Sequence, residues 1–360
     1  MRHRLHEDYF HGCLLGGAVG DALGAPIEFL STAEIRERFG VNGLTDYVHS
    51  AEYGRFGAIT DDTQMTMFTA EGMLRVYHRW QNRGLCDMPA VLHGAYLRWL
   101  LTQGENSSNP DWPSLNSGWL VRVPELHSRR APGSTCLSAL RDGKIGRVEA
   151  PLNNSKGCGG IMRVAPVGLL YSTMPNVDAV RVFDAGCDVA AVTHGHPTGY
   201  LAAGVFSVLV YRIMRGDDLL QAIDDALALL RNRSGHEETS NAVRNALALA
   251  EAYPETSSEV VEQLGRGWVA EEALAIAIYC SLTAQNDFKC GVLAAVNHSG
   301  DSDSTGAITG NILGALLGVA AIPQIWLDQL ELRAPLEILA SDLLIGYSEE
   351  PAWENSYPPT

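Results

Sequence analysis

Two short stretches concentrate the oxygen chemistry of the 360-residue chain. Ile59-Thr60-Asp61-Asp62-Thr63-Gln64 and Ser299-Gly300-Asp301-Ser302-Asp303-Ser304-Thr305 each hold two carboxylates flanked by hydroxyls, and each directly precedes a run with helical periodicity. Asp, Ser and Thr are helix-capping residues: their side-chain oxygens take up orphan amides, and a carboxylate suits the positive end of the helix dipole. Either stretch taken singly therefore reads as an N-cap. Two carboxylates side by side, however, repel unless a cation lies between them, and one cap needs one side chain. Oxygen donors without Cys or His at ligand spacing favour a hard ion, Mg²⁺ or Mn²⁺, with Ca²⁺ as an alternative. Two such clusters could hold a pair of ions, an arrangement that orients substrate oxygens and activates water.

Three further pieces carry weaker signals. In Asp21-Ala-Leu-Gly24-Ala-Pro26-Ile-Glu28, the proline ends a helix and leaves Glu28 at its exit, where a lone glutamate is usually solvated. Ser155-Lys156-Gly157-Cys158-Gly159-Gly160 is a glycine-rich loop of the kind that offers backbone N–H groups to phosphate, without the spacing of a P-loop. Thr193-His194-Gly195-His196-Pro197 sits between two helical runs; its histidines suit either a metal or a cap with one imidazole bonded to a ligand.

The elements that must position these residues read as helix almost throughout. Segments 61–80, 88–101, 177–193, 198–214, 219–231, 239–252, 270–283, 287–296 and 305–321 are Ala/Leu-rich with apolar residues three or four apart, and no run alternates strictly. Glycines recur every four residues at Gly12, Gly16, Gly20 and Gly24, and again at Gly306, Gly310, Gly314 and Gly318. Each costs up to ~1 kcal/mol inside a helix relative to Ala, so close approach of another helix backbone is the natural compensation. Such packing would bring the distant acidic segments together. Segments 104–118 and 128–151, rich in Pro, Asn, Ser and Gly, read as long surface loops. The expected architecture is all-α, one compact multi-helix orthogonal bundle over residues 1–360, with residues 1–10 as an N-terminal extension and 323–360 as a C-terminal helix and tail.

With 42 acidic against 26 basic residues the net charge is −16, which argues against nucleic acid or an anionic membrane as the partner. The basic start followed by small apolar residues resembles a signal peptide only superficially, because Glu7, Asp8 and Asp21 interrupt it. Segment 307–322 is too short to span a bilayer and reads as a buried helix. Seven scattered cysteines without a Cys-x-x-Cys pair fit a reducing cytoplasm.

Taken together, these pieces resemble the ADP-ribosylglycohydrolase family, which includes the dinitrogenase-reductase-activating glycohydrolase. The resemblance spans residues 10–322 and rests on five pieces in family order: residues 20–29, Thr60-Asp61-Asp62-Thr63, residues 155–166, Thr193-His194, and Gly300-Asp301-Ser302-Asp303-Ser304-Thr305-Gly306. It implies an all-α fold and a centre of two divalent cations, Mg or Mn, that cleaves ADP-ribose from a modified protein. By position it implies Thr60, Asp61, Asp62, Asp301, Asp303 and Ser304 as metal ligands. Glu28 would act on the scissile linkage or its water, with Asp61 and Asp303 as the catalytic carboxylates beside it. Ser155, Gly157, Cys158 and Gly159 would lie at the diphosphate, and His194 at the ADP-ribose. The chain departs from many members at Cys158, where they carry Asn, and at Ser304, where they carry Thr. Its Asp-Ser-Asp-Ser-Thr-Gly form leans towards arginine-specific members. Three alternatives accompany this reading: an immunity-type protein that blocks an ADP-ribosyltransferase toxin, a hydrolase of free ADP-ribose derivatives, and a catalytically silent relative.

Overall fold

A computed structural model describes residues 4–109, 116–284 and 286–359. Helix α1 (Glu7–Gly24) runs through the centre, followed by α2 (Thr32–Phe39), α3 (Asp61–Arg83), α4 (Met88–Thr102), α5 (Ser134–Arg141) and α6 (Ala165–Thr173). Then come α7 (Ala179–Ala191), α8 (Pro197–Met214), α9 (Leu219–Leu230), α10 (Glu237–Ala252), α11 (Ser258–Val261) and α12 (Ala270–Thr283). The chain closes with α13 (Phe288–Val296), α14 (Ser302–Leu317), α15 (Gln324–Gln329), α16 (Arg333–Ile345) and α17 (Pro351–Ser356). Among the described residues the extended pairings are two isolated bridges, Ser50–Arg55 and Gly157–Val269, so the fold is all-α.

The glycine ladders are one structure. Each step of four along α1 meets a step of four back along α14: a Cβ added at Gly12, Gly16 or Gly20 would collide with the carbonyl of Gly314, Gly310 or Gly306 respectively. The two backbones touch, and that contact offsets the helical cost of the glycines. One side chain interrupts the seam. Asn311 lies over Gly17 and donates from Nδ2 to the Cys13 carbonyl at 2.7 Å. Gly318 departs from the ladder expected of it: α14 ends at Leu317, and Gly318 caps it at φ +82°, a left-handed conformation that glycine adopts without strain.

Around this seam, α7 packs on α8 at Gly186 and Gly204, where small residues again let backbones approach. Helix α8 is long and apolar enough to cross a membrane, but most of its surface is buried in the fold. Segment 307–322 likewise belongs to buried α14 and the turn after it, as its length suggests. Between α3 and α4, the Glu71 carboxylate takes Arg75 at 2.8 Å and Arg98 at 2.9 Å, all three side chains buried. A buried charge persists only when paired in this way.

Three sequence expectations need revision. Residues 1–10 are not wholly an extension: α1 starts at Glu7, capped by His6, and Phe10 is fully buried. Segment 323–360 forms three helices rather than one helix and a tail, and α16 packs on α1, α3 and α6. Segment 128–151 contains α5, whose buried Cys136, Leu137, Ala139 and Leu140 form a short helical stripe hidden between Pro132-Gly133 and Gly143. Of segment 104–118, residues 110–115, including Trp112, lie outside the described residues.

Candidate active site

The seam delivers the acidic residues to one place. At its last rung, a Cβ on Gly24 would collide with the Ser302 carbonyl and lie against the Asp303 amide, so the end of α1 abuts the start of α14. The chain then turns through Ala25–Ile27, with Pro26 inside the turn, and presents Glu28. Phe29 follows at φ +69°, its amide donating to the Gly300 carbonyl at 3.3 Å. A bulky residue in that conformation is strained and is held here by its surroundings.

The start of α3 is fixed from α1 as well. The buried Asp21 carboxylate accepts from the amides of Thr60 at 3.0 Å and Thr63 at 3.1 Å, and from the Thr63 hydroxyl. Asp61 is anchored on both sides: its amide donates to the Arg130 carbonyl at 2.9 Å, and its Oδ2 accepts from the Gly133 amide at 3.1 Å. On α14, Asp301 caps the helix by accepting from the Ser304 amide at 3.3 Å. The Cys158 thiol donates to Asp301 Oδ2 at 2.6 Å.

One cavity of about 370 Å³ gathers Glu28, Asp61, Asp62, Asp301, Asp303 and Ser304 with Gly157, Cys158, Gly159 and His194. Two expected site residues lie outside its lining. Thr60 caps α3 and lines the adjacent cavity beyond Glu28. Ser155 shapes the glycine-rich loop instead, its hydroxyl accepting from the Gly157 amide at 3.3 Å.

Among the described residues no Lys or Arg lines this cavity, although five carboxylates do. Burial first, then Asp303, Asp301 and other neighbouring acids, raise the Glu28 carboxyl to about 10. Asp21 is raised to about 7 by burial and Asp303, against the lowering pull of its threonine bonds. Burial, with repulsion between the acids, also holds Asp61, Asp62 and Asp301 well above the ordinary carboxylate range. Such crowding is relieved either by protons or by cations. The donor set fits divalent cations. Asp62 Oδ1 is buried without a hydrogen-bond partner, and ligand oxygens of Glu28, Asp301 and Asp303 lie within 4.8 Å of one another.

Opposite the acids, the buried Arg163 donates to Thr193 Oγ1 at 2.7 Å, and that hydroxyl lies 2.8 Å from His194 Nδ1. With an arginine proton already on the threonine oxygen, the threonine proton is free for Nδ1, which leaves Nε2–H as a donor beside Gly157 and Gly159. Burial, then Arg163, lowers His194 to about 3, so the ring is neutral. A Cβ at Gly159 would sit 3.1 Å from this ring and 3.2 Å from the Cys136 sulfur. His196 does not join His194 as a ligand; its Nδ1 accepts from the Thr198 amide at 3.1 Å and caps α8.

Sequence reasoning named Asp21 only as an acid beside the first glycine ladder, without a role in the site, and gave Arg163 none. A carboxylate on a buried, glycine-lined helix face was the available signal for Asp21. The stacking of Phe29 on Trp268 at the cavity mouth, with centroids 5.0 Å apart, joins residues far apart in sequence and left no local trace.

The family model described as ADP-ribosylglycohydrolase matches residues 2–352, and the chain belongs to that family. It is 26% identical to the ADP-ribosyl-[dinitrogen reductase] glycohydrolase of Rhodospirillum rubrum, over 91% of this chain and 92% of that protein. It is 25% identical to the ADP-ribosylarginine hydrolase Tri1 of Serratia proteamaculans, over 95% and 81%. A solved ADP-ribosylglycohydrolase-related protein complex superposes with a TM-score of 0.67 at 28% identity, covering 96% of this chain and 99% of that one. The family hydrolyses ADP-ribose linkages and uses divalent metal ions.

Proposed function

We propose that this ADP-ribosylglycohydrolase removes ADP-ribose from modified arginine side chains of proteins, and that it depends on a pair of divalent cations, Mg²⁺ or Mn²⁺. The observation that carries the metal dependence is the cavity itself: five carboxylates, one with an orphaned oxygen, and no basic side chain among them. Asp61, Asp62, Asp301 and Asp303, with Thr60 and Ser304, would hold the ions. When bound, the ions supply charge that orients the ribose hydroxyls and polarises water.

The chain's own residues provide the rest. Backbone amides of the loop 157–159 and the Nε2–H of His194 suit a diphosphate, which needs donors and tolerates no carboxylate beside it. On this reading the ADP portion lies on the His194 side and the distal ribose against the acids. Glu28, half-buried at the mouth, would take the proton of the attacking water once bound cations offset the burial and acid crowding that otherwise keep its carboxyl protonated. The water oxygen bonds to the anomeric carbon, the carbon–nitrogen bond breaks, and its electron pair leaves on the guanidine nitrogen, which gains a proton. The arginine preference draws on the Asp-Ser-Asp-Ser-Thr-Gly segment at 301–306 and on the similarity to Tri1.

The test is release of ADP-ribose from arginine-, serine- and acid-linked substrates, with Mg²⁺, with Mn²⁺ and with chelator. Release from arginine alone, lost in chelator, is expected. Turnover that survives complete metal removal would sink the metal-dependent reading, and turnover confined to serine or ester linkages would sink the arginine reading.

A further inference from the structure

A second cavity, of about 420 Å³, lies on the far side of Glu28. It shares Glu28, Phe29 and Ala131 with the acidic cavity, so those three residues form the partition between the two. Both neighbours of Glu28 in this partition have left-handed backbones, Phe29 at φ +69° and Ala131 at φ +48°. Their positions are held by the Gly300 carbonyl under Phe29 and by the Asp61 amide on the carbonyl of Arg130. Strain kept in place at the boundary of two cavities points to a junction that has to be where it is.

We propose that this second cavity is the subsite for the departing side chain, and that Glu52 selects a guanidinium there. The inference deepens the arginine reading above and rests on it. Once the ADP portion fills the side with His194, the bond to be cut lies at Glu28, and the adjoining cavity across the partition is the space next to the leaving group.

The walls there suit a cation. No Lys or Arg lines the cavity, whereas Glu52 does, beside the Tyr53 hydroxyl and the His49 ring. The nearest arginines pair with one buried carboxylate, Arg130 with Glu331 at 2.6 Å and Arg55 with the same group at 3.1 Å. Arg130 also stacks on one face of the Tyr53 ring, 3.8 Å from its centroid, and so fixes that ring in the cavity wall. Burial, then the neighbouring Glu52 carboxylate, raises the Tyr53 hydroxyl, so the two side chains lie against each other in this wall. A guanidinium offers a fork of N–H donors to such a carboxylate and a flat face to an aromatic ring.

The probe is agmatine, a free guanidinium, titrated by calorimetry into wild-type and Glu52→Gln protein saturated with ADP-ribose and Mg²⁺. Glu52 is exposed, so the substitution leaves the fold intact. Loss of one charge-assisted contact should weaken agmatine about tenfold and leave ADP-ribose affinity unchanged. Equal agmatine affinity in the two proteins, or no agmatine binding by the wild type, would overturn the subsite. Agmatine binding that depends on Glu52, together with no release of ADP-ribose from arginine-linked substrate, would overturn the arginine hydrolase and leave the guanidinium site standing.

Discussion

The α1/α14 seam and the rim formed by residues 48–56 and 128–133 flank the acidic cavity and the one adjoining it, and they are built on opposite principles. In the seam, two backbones touch at successive rungs, and there is no room for one added carbon. On the rim, chain segments are held by a few polar anchors: Arg130 and Arg55 on Glu331, and Asp61 on the Arg130 carbonyl and the Gly133 amide. The seam does no chemistry itself. It fixes where the carboxylates of α1's exit and α14's start must meet. The rim touches the centre only through the backbone groups of Arg130 and Gly133 that hold Asp61, and on the proposed reading it is the part that meets the substrate's side chain. Placement and selectivity are thereby assigned to different parts of the chain.

Breaking the seam should have the largest effect. Gly20→Ala forces a Cβ into the Gly306 carbonyl and must part the helices, so a loss of about 3–5 kcal/mol is expected, read by denaturant unfolding. Next comes the centre it positions. Asp303→Ala should cut hydrolysis about a thousandfold, yet raise the unfolding temperature in chelator by about 2–4 °C, because one of the crowded acids is gone. A variant less stable than wild type in chelator would refute the idea that the empty centre is self-repelling.

A smaller effect is expected across the cavity. Thr193→Val removes the oxygen between Arg163 and His194 and should weaken ADP-ribose about tenfold. Because His194 is lowered to about 3, its ring stays neutral from pH 5 to 8, and wild-type affinity should show no histidine step there. A step near pH 6.5 that disappears in His194→Ala would contradict the buried, neutral ring. The smallest effect belongs to the rim. An added Cβ at Gly133 would come no closer than 3.9 Å to Asp61 Oδ2, so Gly133→Ala should alter stability by less than about 0.5 kcal/mol and keep turnover. A large loss there would blur the distinction between rim and seam.

Much of this was legible in the sequence because it was periodic or local. The nine helical segments fall on helices, and the two ladders foretold close packing, although not that each was the other's partner. Asp61, Asp62, Asp301 and Asp303 were readable because each pair stands with hydroxyls at a helix start. The short helices were not. Helix α5 spans two turns between Pro132-Gly133 and Gly143, too brief for a 3.6-residue period to stand out from its breakers. Asp21 was hidden because its partners, Thr60 and Thr63, lie some forty residues away and only folding joins them. Tertiary relations of that kind, like Arg163 to His194, have no spacing to read.

Asn311 acquires a particular importance from the regularity around it. A rack of identical teeth engages equally well one tooth along, and glycines every four residues on both helices leave the seam with that translational degeneracy. A slip of one step would displace α14 by ~6 Å relative to α1 and carry Asp301 and Asp303 away from Glu28. Asn311 can seat only over Gly17; one step either way it would meet the side chain of Cys13 or Asp21. A single amide, two helical turns from the nearest carboxylate of the centre, therefore indexes the catalytic geometry.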